Sequence, residues 1–179
     1  MATVILGVCG SIAAYKAADV ASRLVKMGHE VHCVCTPTAL RFVSPLTLMT
    51  LSRNPVISSF DDETGSWVPV HIDLAQRASV LAIVAATANT MACMAHGLAP
   101  NALTSLYLAN RAPVLIFPAM NGNMWNHPAT QKNASVLLGR EKHRIVGPDD
   151  AGMLACGAEG QGRLVPVERI VDEILRELS

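Results

Sequence analysis

The side chains with the chemistry to move a proton or hold a carboxylate include His71, Cys156 and Asn121, each in a distinctive local run. His71 opens the run His71-Ile72-Asp73-Leu74-Ala75, just before a long apolar stretch. An imidazole gains or loses its proton near neutral pH, so it can serve as acid or base. Taken alone, a single histidine at a helix start is more often structural. Cys156 lies in the Gly-rich run Ala151 to Arg163, where a thiol can supply a proton or simply fill a turn. Asn121 lies in Pro118-Ala119-Met120-Asn121-Gly122-Asn123-Met124-Trp125, and its side-chain NH₂ can donate to a carboxylate. Spacing alone also allows a loop whose Met and Trp merely cap the core.

A second set of residues has the chemistry of a flat or anionic ligand. Gly10-Ser11-Ile12 follows the apolar run Thr3–Cys9 and opens a helical pattern to about Met27. Gly10 permits a tight turn, Ser11 can cap the helix, and N–H groups at such a start favour an anion. The pattern is not GxGxxG, so no dinucleotide fingerprint is present; strand–Gly–Ser–helix is also common as plain structure. Thr36 stands at the end of the next apolar run. Ala86-Thr87-Ala88-Asn89-Thr90 follows another, offering small residues with both donors and acceptors.

These residues need a scaffold that gathers strand ends. The runs Thr3–Cys9, His29–Thr36, Ser79–Ala85 and Ala112–Phe117 are apolar and short, as strands buried on both faces are. His143–Gly147 reads as a last short strand. Strand, helix and strand within the opening residues form a βαβ unit, which predicts a parallel sheet. Helices are expected from Pro37, from Ser44-Pro45 to Asn54-Pro55, from Ala86-Thr90 onward to a stop at Gly97, from Pro100, from Pro128 to Arg140 and from Pro166 to Leu178. Pro118 to Trp125 reads as a loop, and Ala151 to Arg163 as a flap. The expectation is one α/β domain over residues 1–179: a Rossmann-like, flavodoxin-like, doubly wound parallel sheet of about five or six strands.

Composition narrows the function classes. Hydrophobic residues make up 51% and charged ones 16%, which excludes a disordered chain. Fourteen basic and fourteen acidic residues leave a formal net charge of zero, so no long-range attraction to nucleic acid is expected. A neutral, apolar chain predicts a homo-oligomer. No membrane-spanning run and no signal peptide are read, and five cysteines with no CxxC pair suggest reduced thiols in a cytoplasm. Cys33 and Cys35 read as core filling. The acidic run Phe60 to Ser66 has no metal-ligand spacing, and no metal is expected.

Pro118-Ala119-Met120-Asn121-x-x-Met124-Trp125 resembles the signature of the flavin-dependent cysteine decarboxylases. Gly10-Ser11-Ile12, the His71 segment and Ala86 to Asn89 are similar to that family too, so the resemblance covers nearly the whole chain. It departs at Ala85, usually Pro, and at Pro100 and Ala102. The resemblance implies bound flavin mononucleotide (FMN), held by Gly10, Ser11, Ile12, Thr36, Thr87, Ala88, Asn89, Thr90, Ala119 and Met120. It implies His71 as catalytic acid/base, Asn121 as substrate holder, and Met124 and Arg163 as further substrate contacts. Histidines 29, 32, 96, 127 and 143 match no family segment and are left structural. Ala155-Cys156-Gly157-x-x-Gly160-x-Gly162-Arg163 resembles the substrate clamp of those members that act on phosphopantothenoylcysteine, with Cys156 as proton donor. That implies decarboxylation in coenzyme A synthesis, as a trimer or assembly of trimers. Peptidyl-cysteine decarboxylation, which stops at an enethiol, is the alternative.

Overall fold

The computed structural model describes residues 1–59, 68–149 and 160–179. Five strands form one sheet: β1 (Thr3–Val8), β2 (Glu30–Cys35), β3 (Val80–Ala86), β4 (Val114–Pro118) and β5 (His143–Ile145). Their order is β2-β1-β3-β4-β5, and every neighbouring pair is parallel. Helices α1 (Lys16–Lys26), α2 (Pro45–Ser52), α3 (Val70–Arg77), α4 (Ala88–His96), α5 (Ala102–Ala109), α6 (Gly122–Asn126), α7 (Pro128–Leu138) and α8 (Val167–Glu177) complete the described architecture.

The period-two geometry of a strand divides the apolar runs between two cores. Val4, Leu6 and Val8 of β1 pack with Cys33 and Cys35 of β2 and with α1, α2 and α8. Ile5 of β1 and Cys9 just beyond it face the other way, with Leu81 and Ile83 of β3, against α3, α4, α5 and α7. The sheet is thus wound on both faces, as expected. In α8, Ile170, Val171 and Ile174 form the buried stripe. Truncating Ile174 to Ala removes side-chain packing worth about 2–5 kcal/mol.

Several local expectations differ from the structure. Pro37 starts no full helix; only a 3-10 turn at Ala39–Arg41 follows Thr36. Asn101, not Pro100, caps α5, through a reciprocal capping box with Thr104. Pro118 to Trp125 is not all loop, because Gly122–Asn126 winds into one helical turn. Ala85 lies inside β3 and is fully buried, so the departure from Pro falls on the strand and not on the turn. Among the described residues the sheet has five strands, within the expected five or six.

The outer edge of β2 is covered at its carboxyl end. Ile57 bridges to Val34, with Cys35 N–H donating to the Ile57 carbonyl at 2.7 Å and Ile57 N–H to the Cys33 carbonyl at 3.1 Å. Among the described residues, no helix is long and apolar enough to cross a membrane.

Candidate active site

The chain reverses its direction of travel across the sheet between β1 and β3. Ligands in such sheets sit beyond the carboxyl ends of the strands at that reversal. The turn after β1 is drawn in tightly: Ser11 N–H donates to the Cys9 carbonyl at 2.8 Å. A β-carbon at Gly10 would fall 2.5 Å from the Thr38 methyl, so the two turns can touch only with glycine there. The Ser11 hydroxyl accepts from Ala13 N–H at 3.3 Å, capping the 3-10 turn Ile12–Tyr15 that leads into α1. The same hydroxyl donates to the Ala119 carbonyl at 3.3 Å.

At the end of β3, Thr87 caps α4. Its hydroxyl accepts from Thr90 N–H at 3.2 Å and donates to the Thr90 hydroxyl at 3.1 Å. Ala88, Asn89 and Thr90 therefore form the first helical turn, with the N–H groups of a helix start beside them. The end of β4 is pinned by Ala119 N–H to the Ala86 carbonyl at 3.0 Å.

These turns enclose a cleft of about 670 Å³. Gly10, Ser11, Thr36, Thr87, Ala88, Asn89, Thr90, Ala119 and Met120 all line it, as does Met124. Ile12 does not; its side chain is 60% exposed. Sequence reasoning about the site missed Pro37, Thr38 and Cys93 as lining residues, together with Pro100 and Asn101. Cys93 had a signal: it stands four residues after Asn89, hence on the same helix face.

One lining group stands out energetically. The Thr36 hydroxyl is buried and has no hydrogen-bond partner in the structure. An unmet buried hydroxyl costs about 1–3 kcal/mol, so a cleft that keeps one is suited to a polar ligand. The capped start of α4, the capped 3-10 turn after β1 and a side-chain-free approach at Gly10 suit an anionic group. Cys9, just beneath, takes no part as a thiolate: burial pushes its thiol up to about 11, against smaller opposing bonds from Thr90 and Thr87.

The proton-moving candidates are not all brought together. Asn121 is exposed at the rim, between lining residues Met120 and Met124, and caps α6 with its oxygen on Asn123 N–H at 2.9 Å. Met120 and Trp125 pack on the core around α4 and α7, and Met124 is half exposed. His71 is half-buried in the first turn of α3 and is not among the lining residues. Arg163 is not among them either; its guanidinium lies 3.7 Å from the Asp149 carboxylate. Cys156, and the expected flap up to residue 159, lie outside the described residues, as does the acidic run Phe60 to Ser66.

A family model described as Flavoprotein matches residues 1–179. A probable phosphopantothenoylcysteine decarboxylase of Streptococcus mutans is 41% identical over 177 residues, 98% of each chain. The coenzyme A biosynthesis bifunctional protein CoaBC of Bacillus subtilis is 44% identical over 168 residues, covering 94% of this chain. This chain spans only 41% of that relative's length. Among solved structures, a PPC decarboxylase mutant complexed with pantothenoylaminoethenethiol superposes with a TM-score of 0.85 at 30% identity, covering 98% of this chain and 97% of its own. The FMN-dependent cysteine decarboxylase SpaF superposes at 0.83 with 29% identity, covering 100% and 98%.

Proposed function

The chain belongs to the flavoprotein family, and from that premise we propose that it decarboxylates phosphopantothenoylcysteine to phosphopantetheine, a step of coenzyme A synthesis, with FMN as its cofactor. The observation that carries this reading is the cleft itself. Nine of the ten flavin positions read from the sequence line one cavity at the sheet's carboxyl end, under the Asn121 rim. The orphan Thr36 hydroxyl, the Ser11-capped 3-10 turn after β1 and the α4 start fit a flavin carrying one phosphate. The structural likeness to an FMN-dependent decarboxylase supports the mononucleotide.

Bound flavin supplies a two-electron acceptor that no side chain here provides. Decarboxylation of an ordinary cysteine carboxylate would leave an unstabilised carbanion, whereas a side chain at the thioaldehyde level gives those electrons a sink. Asn121 holds the substrate carboxylate through its NH₂ group, since its oxygen is engaged by Asn123. His71 serves as acid/base near the substrate thiol and carboxylate, taking the thiol proton as the side chain is oxidised. Cys156 would give the proton that must accompany a hydride equivalent, which a bound reduced flavin would supply, for the enethiol to become the saturated thiol. Arg163 steadies the return of the flap. Because His71 does not line its own chain's cleft, it serves the cleft of a second copy, in a homo-oligomer built from trimers. Its place is the cytoplasm; residues 1–179 act as one domain, and neither nucleic acid nor membrane is a partner.

The test is the mass of the product from purified yellow protein given phosphopantothenoylcysteine without oxygen. Phosphopantetheine is expected. A product two hydrogens lighter would move the assignment to the peptidyl-cysteine type of chemistry. Cys156→Ser should still release carbon dioxide but stop at that lighter enethiol; full conversion by the variant would remove Cys156 from the mechanism.

A further inference from the structure

Residues 160–163 lie directly against the Asn121 rim, and two of them are glycines. Met120 N–H donates to the Gly162 carbonyl at 2.9 Å. A β-carbon at Gly162 would fall 2.1 Å from the Met120 carbonyl oxygen and 3.2 Å from both Asn121 C and Gly122 N. Gly162 also has φ of +124°, a conformation side chains rarely take. From the other side, a β-carbon at Gly122 would fall 2.7 Å from the Gln161 carbonyl oxygen. Neither strand tolerates a methyl group facing the other, and both obstructing atoms are backbone.

This segment is itself anchored. Asp149 N–H donates to the Arg163 carbonyl at 2.8 Å, and Gly162 N–H to the Asp149 carbonyl at 3.3 Å, in an antiparallel bridge. The Asp149 carboxylate stands 3.7 Å from the Arg163 guanidinium and 3.8 Å from that of Arg169 on α8. The chain on either side of Asn121 therefore rests on an anchored backbone. Asn121 is held at φ −59°, ψ 146° between Met120 and Gly122, and its amide oxygen is fixed by Asn123.

We propose that Gly162 and Gly122 are positioning residues for the reaction: their side-chain-free contact sets where Asn121 presents its amide NH₂ to the substrate. The proposal rests on the reading of Asn121 as substrate holder. It explains why glycine stands at both positions, although Gly122 lies in a helical turn where glycine weakens the helix.

The test compares Gly122→Ala, Gly162→Ala, Asn121→Asp and the double variant Gly122→Ala/Asn121→Asp, all as flavin-loaded protein. Asn121→Asp keeps an acceptor at the helix cap and loses the NH₂ donor. Gly28→Ala is the control, because Gly28 has φ of +85° and open space around its β-carbon position. Each glycine variant at the contact should lose kcat/KM by on the order of 10²-fold. Flavin content per chain should stay unchanged, and Gly28→Ala should keep full activity. The double variant should be no slower than Asn121→Asp alone. Gly122→Ala carries the test if Gly162→Ala does not fold, since it introduces no left-handed backbone strain. Wild-type kcat/KM in the folded glycine variants, with Asn121→Asp impaired, would overturn the proposal and leave the role of Asn121 standing. So would losses that simply multiply in the double variant. Wild-type activity in Asn121→Asp would instead remove the reading beneath the proposal.

Discussion

The hydroxyl of Ser11 donates to the carbonyl of Ala119 across 3.3 Å, although 108 residues separate them in the chain. One serine thus caps a 3-10 turn and ties the exit of β1 to the exit of β4, where both line the cleft. Ser11→Ala removes both bonds. Loss of the cap should cost about 0.5–2 kcal/mol of stability. The variant should also retain less FMN, since the N–H groups around the turn lose their fixed aim. Thermal melts and flavin-to-protein ratios check both; a full complement of flavin at wild-type stability would contradict the arrangement.

Thr36→Val should separate the flavin-free protein from the loaded one. The substitution keeps the side chain's shape and deletes a buried hydroxyl that has no partner in the structure. Without flavin, the variant should be at least as stable as the parent. With flavin, affinity should fall about tenfold, the worth of one hydrogen bond of ordinary strength. Melting curves with and without FMN measure the crossing. A variant less stable in both states would mean that the hydroxyl serves the protein and not the ligand.

His71→Asn should slow decarboxylation by about 10²–10⁴-fold while leaving the protein yellow. Mixing it with Asn121→Asp tests whether sites are shared between copies. If His71 serves a neighbour's cleft in a closed ring, unfolding and refolding the two inactive chains together should restore activity. Random mixing gives about a quarter of the sites both functional groups. No recovery would place His71 and Asn121 in the same copy's site.

Acid stability should depend on Glu30. Its carboxylate meets His32 Nε2 at 2.9 Å, accepts from the Thr3 hydroxyl at 2.9 Å and from Arg77 at 2.6 Å. The His32 bond foremost, with the Thr3 and Arg77 bonds behind it, holds its pKa at about 2 against an ordinary 4.5. A carboxyl depressed on folding stabilises the protein above its unfolded value, and that contribution drains away as pH falls through the folded value. Stability should therefore decline between about pH 4.5 and about pH 2, and Glu30→Gln should flatten the decline. Denaturant midpoints across that window decide it; parallel curves would dismiss the contribution.

The central strands were legible because a strand covered on both faces is apolar along its length, as Val80 to Ala86 and Val114 to Phe117 are. The cleft was legible for the same reason in reverse: Ser11, Thr36 and Thr87 are the first polar residues after such runs. Local turns were less so. Five residues from Gly122 to Asn126 are too few for a helical period to show. Thr36-Pro37 carries a good helix-start signal, yet the chain makes only a 3-10 turn there, pressed against Gly10. The setting of His71 was illegible because distance across the fold is not written in spacing. The glycine contact at Met120 was equally hidden, since it is made by backbone atoms and the sequence shows only an absence of side chains.

The bridge from Ile57 to Val34 has a consequence for how copies of this chain can meet. An open sheet edge is a template on which another molecule's strand can add, and repeated addition makes ribbons. Here one edge already carries a short piece of its own chain, and the opposite edge, β5, is three residues long. Among the described residues, each edge thus leaves a foreign strand only a short run of N–H and C=O groups. A second copy meeting this chain would therefore find helix faces and turns, with little sheet edge on which a strand could add.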